Sequence, residues 1–103
     1  MKVIWKYQLF DRGLNIVAMP ANAEILHVGM QNRRPCVWAQ VESLNEPEDR
    51  YLWVHGTGWD ISDTPEVQTF LGTAHTDDSL VWHVFETHTI PAKQATSTGE
   101  PNG

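Results

Sequence analysis

Cysteine occurs once in the 103-residue chain, at Cys36. That rules out an internal disulfide and leaves no thiol set for a structural zinc site. Within the run PCVWAQV the lone thiol reads as a small buried hydrophobe, since no histidine beside it in sequence marks it as a nucleophile. Basic residues are also scarce: seven Lys and Arg stand against thirteen Asp and Glu, a net charge of -6. Binding to nucleic acid needs a basic patch to neutralise phosphates, so no direct DNA or RNA partner is expected. No apolar run approaches the roughly 18 residues of a membrane-spanning helix, so no membrane partner is expected either. The opening MKVIWKYQLFDRG interrupts its apolar positions with charge and does not read as a signal peptide, which makes the cytoplasm the expected location.

A sustained helical period is missing too. Apolar residues instead alternate, or cluster in short β-branched and aromatic runs, over residues 2–9, 14–19, 23–31, 36–41, 51–55, 68–75 and 80–86. Alternation with period two places one set of side chains on a core face, and here Val3, Trp5, Tyr7 and Leu9 form such a set. NRRP (32–35) and TDDS (76–79) read as hairpin turns, LNEPEDR (44–50) as an acidic loop, and DISDTPE (60–66) as a turn-rich segment with room for one helical turn. The spacing predicts an all-β, mainly antiparallel fold, a small sandwich or open barrel of about seven short strands. Residues 1–87 form the single expected domain. Residues 88–103, rich in Thr, Pro, Gly and Ser, are the expected disordered tail.

Catalytic patterns are absent. No serine stands in a GxSxG elbow, and no glycine run has the GxxxxGK[ST] spacing of a phosphate loop. Five histidines show no ligand spacing: His27, His55 and His75 lie singly in strands, and His83 and His88 are separated by a strand end. Asp60, Asp63, Asp77 and Asp78 sit in turns, where carboxylates cap backbone N–H groups. The chain is therefore expected to be no enzyme and to carry no metal and no cofactor.

Tryptophan is plentiful by contrast. Five in so small a domain exceed what one core accommodates, so some are expected at a ligand or subunit contact. Trp53 and His55 lead into the turn of Gly56, Thr57 and Gly58, and Trp59 follows it. Successive N–H groups of such a turn make a nest for an anion, while a tight turn explains the glycines equally well.

Four segments, KVIWKY, QNRRPCVWA, the strand entering GTG, and FLGTAHTDDSLVWHVFE, together resemble a family of small bacteriophage and prophage proteins. The second departs slightly, since Val28 and Gln31 stand in VGMQN where the family has V-Q-N. The resemblance implies a phage accessory protein acting in the cytoplasm of an infected bacterial host. Proteins of that kind often counter host defence by binding without turnover. The first expectation is sequestration of a small anionic nucleotide-type immune signal. Trp53 or Trp59 would stack on a base, Gly56, Thr57 and Gly58 would donate N–H and hydroxyl groups, and Arg33 and Arg34 would clamp phosphate. Bringing the arginine turn to the GTG turn requires sheet folding or a second subunit, and a homo-oligomer is expected. The alternative is a proteinaceous inhibitor that meets a host defence protein through an aromatic and acidic surface built from loops such as NEPED and TDD. A virion or packaging role is a further possibility in this context.

Overall fold

The computed structural model describes residues 1–89. The expected tail therefore lies, from residue 90 onward, outside the described residues. Seven strands follow in order: β1 (Lys2–Gln8), β2 (Gly13–Pro20), β3 (Glu24–Gln31), β4 (Arg34–Glu42), β5 (Pro47–Gly56), β6 (Gln68–His75) and β7 (Val81–Thr87). They form a three-stranded sheet, β1-β4-β3, packed on a four-stranded sheet, β2-β5-β7-β6. All pairings are antiparallel. The expected all-β antiparallel class is what is found, in its sandwich form.

The turns follow from local chemistry. Asn32 and Arg33 both have positive φ, 55° and 67°, and Gln31 pairs with Arg34. These values define the two-residue type I′ hairpin, whose twist matches the strands it joins. In the β6–β7 loop Thr76 N–H bonds to Leu80 C=O and Leu80 N–H to the Thr76 hydroxyl, both at 2.9 Å. Ser79 there takes the left-handed position with φ 72°.

Two expectations are corrected. Residues 47–50, read as an acidic loop, are the start of β5 and pair with Val17 to Pro20 of β2. Charge on both faces hid the strand, but β2 supplies the ladder, and Pro47 opposite Pro20 ends it where missing N–H groups cost least. Residues 60–66 contain turns and no helix.

The core lies between the sheets, where Leu9, Met19, Val28, Val37, Val41, Leu52, Val54 and Val84 are buried. Each such side chain contributes roughly 1.5–3 kcal/mol. On one flank β3 presses against β6, because Gly72 leaves room for Val28. A Cβ at Gly72 would lie 2.9 Å from the Val28 Cβ. Residues 57–67 cross the outer face of the four-stranded sheet, where Thr64 and His55 are buried and hydrogen-bonded at 3.2 Å. This cover explains why β5 is buried on both faces from Leu52 to Gly56.

Candidate functional site at one end of the sandwich

Antiparallel pairing sends the end of β1, the β3–β4 turn, the end of β5 and the β6–β7 loop to the same end of the molecule. There a hollow of about 370 Å³ is lined by Asp11, Arg33, His75, Asp77, Asp78 and Trp82, with Met30 and Leu80 as apolar neighbours. Trp82 meets Trp59 edge to face, with ring centroids 5.4 Å apart, and the Arg12 guanidinium lies 5.1 Å from the Trp59 ring centre. Arg34 sits over Phe10 at 5.8 Å. The β1–β2 loop, which carries both Phe10 and Arg12, thus links the arginine turn to the GTG turn. Sheet folding within one chain brings the two segments to one end.

The GTG turn has a structural reason for each glycine. Trp59 N–H closes a β-turn onto Gly56 C=O at 3.1 Å, and Gly58 at its third position has φ 86°, the left-handed conformation a type II turn demands. Gly56 is bare because the Trp59 indole lies on it: a Cβ there would stand 2.5 Å from the Trp59 Cε2. The Thr57 hydroxyl is held by His83 Nε2 at 2.7 Å, and His83 Nδ1 by the Thr73 hydroxyl at 3.1 Å.

Of the residues singled out in the sequence, Arg33 lines the hollow and Trp59 backs its Trp82 wall. Trp59 caps the end of the core at 38% exposure, with its ring against Trp82. Arg34 turns to Phe10. Trp53 and His55 lie on the outer face of the four-stranded sheet, away from the hollow. Trp53 is buried and donates its indole N–H to Thr87 Oγ1 at 2.9 Å, and His55 stacks beside it, centroids 6.0 Å apart. Neither has a face to offer a base. From sequence alone Trp82, His75 and Asp11 do not stand out as a site, and Asp77 and Asp78 enter only as the TDD loop of the inhibitor alternative. No sequence signal marks Trp82, because its place opposite Gly56 comes from the register of β5 on β7.

The Thr76 hydroxyl donates to Asp78 and, with backbone help and the charge of Arg33, holds that carboxyl below its ordinary range. Arg33 forms no ion pair among the described residues. A second hollow, about 440 Å³ at the opposite end, includes Glu48, Asp49, Arg50 and Glu86. Its arginine is already neutralised by Glu86, which makes it the poorer site for an anion. No group of His, Cys, Asp and Glu able to hold a metal occurs among the described residues, and no helix among them is long and apolar enough to cross a membrane.

Burial lowers the pKa of His55 from 6.5, opposed by Asp63 and assisted by His83. The folded protein then keeps the imidazole neutral where the unfolded chain has begun to take a proton. Its contribution to stability is full above the unfolded pKa and declines as pH falls below it, by at most about 1.4 kcal/mol per pH unit for one proton. Urea unfolding between about pH 7 and pH 5.5 should show this loss. His55→Phe, which keeps a ring between Trp53 and Phe85, should have a flatter pH dependence than the parent; equal slopes would contradict the assignment.

A protein-family model described as a domain of unknown function, DUF7352, matches residues 1–94. No curated protein matches the chain, and no solved structure does.

Proposed function

The chain belongs to the DUF7352 family, whose description assigns no activity, and from that premise we propose that it is a non-catalytic binding module for a small nucleotide-type ligand. The observation that carries this reading is Arg33. It lines the hollow that Trp82 walls, yet its backbone is in the left-handed region, φ 67°, where a residue with a Cβ costs about 1–2 kcal/mol relative to glycine. Backbone strain of this kind clusters at ligand clamps. A guanidinium free of ion pairs can donate two parallel hydrogen bonds to phosphate oxygens. Met30, Leu80 and the small part of Trp82 left exposed, 9%, offer apolar surface to a base, and Asp77, Asp78 and Asp11 offer acceptors to sugar hydroxyls or ring amino groups.

Charge narrows the ligand. Arg12, Arg33 and Arg34 at this end are balanced by Asp11, Asp77 and Asp78, so a terminal phosphate carrying two charges is disfavoured relative to a singly charged phosphodiester. Cyclic and linked nucleotides are the class that fits. The resemblance to small phage proteins supports an anti-defence role, in which such a signal is sequestered without turnover in the cytoplasm of an infected bacterium.

Thermal shift against cyclic mono- and oligonucleotides, ADP-ribose-type nucleotides and nucleoside triphosphates tests this. A ligand at a hundred times its Kd stabilises the folded state by about 2.7 kcal/mol. The expected result is a clear rise in Tm with a phosphodiester nucleotide and little with triphosphates. No rise with any nucleotide would sink the reading.

A second reading is favoured by one observation. Phe10 and Leu80 remain 70% and 50% exposed at this end, beside the carboxylates of the TDD loop. This is the aromatic and acidic surface a proteinaceous inhibitor of a host defence protein would present. Failure of the nucleotide panel together with loss of host-protein capture on Phe10→Ser would favour it.

A further inference from the structure

The three-stranded sheet ends in β1, which pairs with β4 alone. Of the four edge strands, β3 and β6 close on one another at Val28 and Gly72, so the other flank, formed by β1 and β2, stays open. Natural edges are usually guarded by charge, proline or bulges. KVIWKYQ has no proline, runs in unbroken register along β4, and carries charge only at Lys2 and Lys6. The Lys6 ammonium is drawn across the sheet to Gln31 Oε1, which takes it away from the edge. Ile4 and Trp5 are left 60% and 43% exposed.

Backbone directions fix what this edge can accept. Met1 C=O receives Ser43 N–H, and Leu9 N–H is donated to Pro35 C=O, at 2.9 and 2.8 Å. In an antiparallel ladder both polar groups of alternate residues face the same neighbour. The odd positions of β1 therefore face β4, and Lys2, Ile4, Lys6 and Gln8 direct N–H and C=O outward.

We propose that this edge pairs antiparallel with β1 of a second copy about a twofold axis through Trp5. Twofold pairing requires outward-facing residues to meet outward-facing residues, so the axis passes through a residue near the strand centre. An axis through Ile4 sets Lys2 against Lys6, and one through Lys6 sets that lysine against its own copy; like charges directly opposite are destabilising. The axis through Trp5 sets Lys2 against Gln8 and Ile4 against Lys6, and no lysines face each other. It also places the two Trp5 side chains in a non-hydrogen-bonded pair, where cross-strand side chains come closest. The edge's own sequence thus satisfies it without opposing like charges. The pairing joins two three-stranded sheets into one continuous sheet and sends the site-bearing ends of the copies in opposite directions, so each hollow is complete within one chain.

Sedimentation of the full-length protein over a wide concentration range tests the pairing. Ile4→Pro removes an outward N–H and leaves the β1–β4 ladder whole, as proline is tolerated on a free edge. Ile4→Lys brings a lysine opposite Lys6 and leaves every backbone group in place. The parent should dimerise. Both variants should weaken the dimer by about a hundredfold or more, with the loss in Ile4→Lys partly restored by salt. Nucleotide binding, if present in the parent, should be retained in both, so failure of the pairing and failure of the proposed function are told apart. A parent that stays monomeric throughout, or a dimer untouched by both variants, would overturn the pairing.

Discussion

Replacing Gly56 by alanine is expected to cost about 2–3 kcal/mol of stability and to turn Trp59 out of its seat. The added methyl would stand 2.5 Å from Cε2, 2.8 Å from Nε1 and 2.9 Å from Cζ2 of Trp59, so the whole indole must move. Its departure breaks the edge-to-face contact with Trp82 and the contact with Arg12, each a term of about 0.5–1.5 kcal/mol. Urea unfolding would report the stability, and tryptophan emission should shift to the red as the ring meets water. Unchanged emission and stability would mean that Trp59 is not held by the turn. The companion change Trp59→Ala leaves the turn intact and is expected to weaken nucleotide affinity about fivefold, roughly 1 kcal/mol, because only the support of the Trp82 wall is lost.

Arg50→Met should cost about 2–4 kcal/mol, with its effect at the end of the molecule away from the candidate site. The guanidinium binds both oxygens of Glu86, with Nη2 to Oε1 at 3.0 Å, and donates from Nη1 to the Ala23 carbonyl at 2.8 Å. The hydrogen bond to Glu86 raises the arginine pKa above its ordinary value, so the guanidinium stays charged. With side chains only 18% and 12% exposed, removing one partner leaves a carboxylate and a carbonyl with little water to satisfy them. The residual exposure keeps the figure below that of a fully buried pair. Adding Glu86→Leu should recover much of the loss, since replacing both charges by apolar groups is far milder than orphaning one. A loss under about 0.5 kcal/mol in Arg50→Met would place this pair among weak surface contacts.

Most of the sheet was legible in the sequence because period-two patterning is a local signal. Lys2 to Gln8 alternates and is a strand, and Asn32 with Arg33 stands between two β-branched runs and is a hairpin turn. Pro47 to Arg50 was not legible, since its ladder comes from β2, some thirty residues earlier, and its own residues are charged on both faces. Of the candidate site, Arg33 announces itself by residue type, whereas Gly56, Thr57 and Gly58 do not line the hollow, and the choice between Trp59 and Trp82 as the aromatic wall depends on which ring reaches it. That is decided by the register of β5 on β7, a tertiary fact. The burial of Trp53 and His55 likewise depends on residues 57–67 folding back over the sheet, which no local pattern in DISDTPE dictates.

Arg33→Gly isolates the claim that this residue is kept for a ligand. The substitution leaves an Asn-Gly pair, the dipeptide a type I′ turn prefers, and removes only the guanidinium from the hollow. Calorimetry with a phosphodiester nucleotide that the parent binds, paired with urea unfolding of both proteins, is the decisive measurement. The predicted result is a variant as stable as the parent or up to about 1 kcal/mol more so, with affinity reduced at least about tenfold. Full affinity in a folded Arg33→Gly variant would contradict the site.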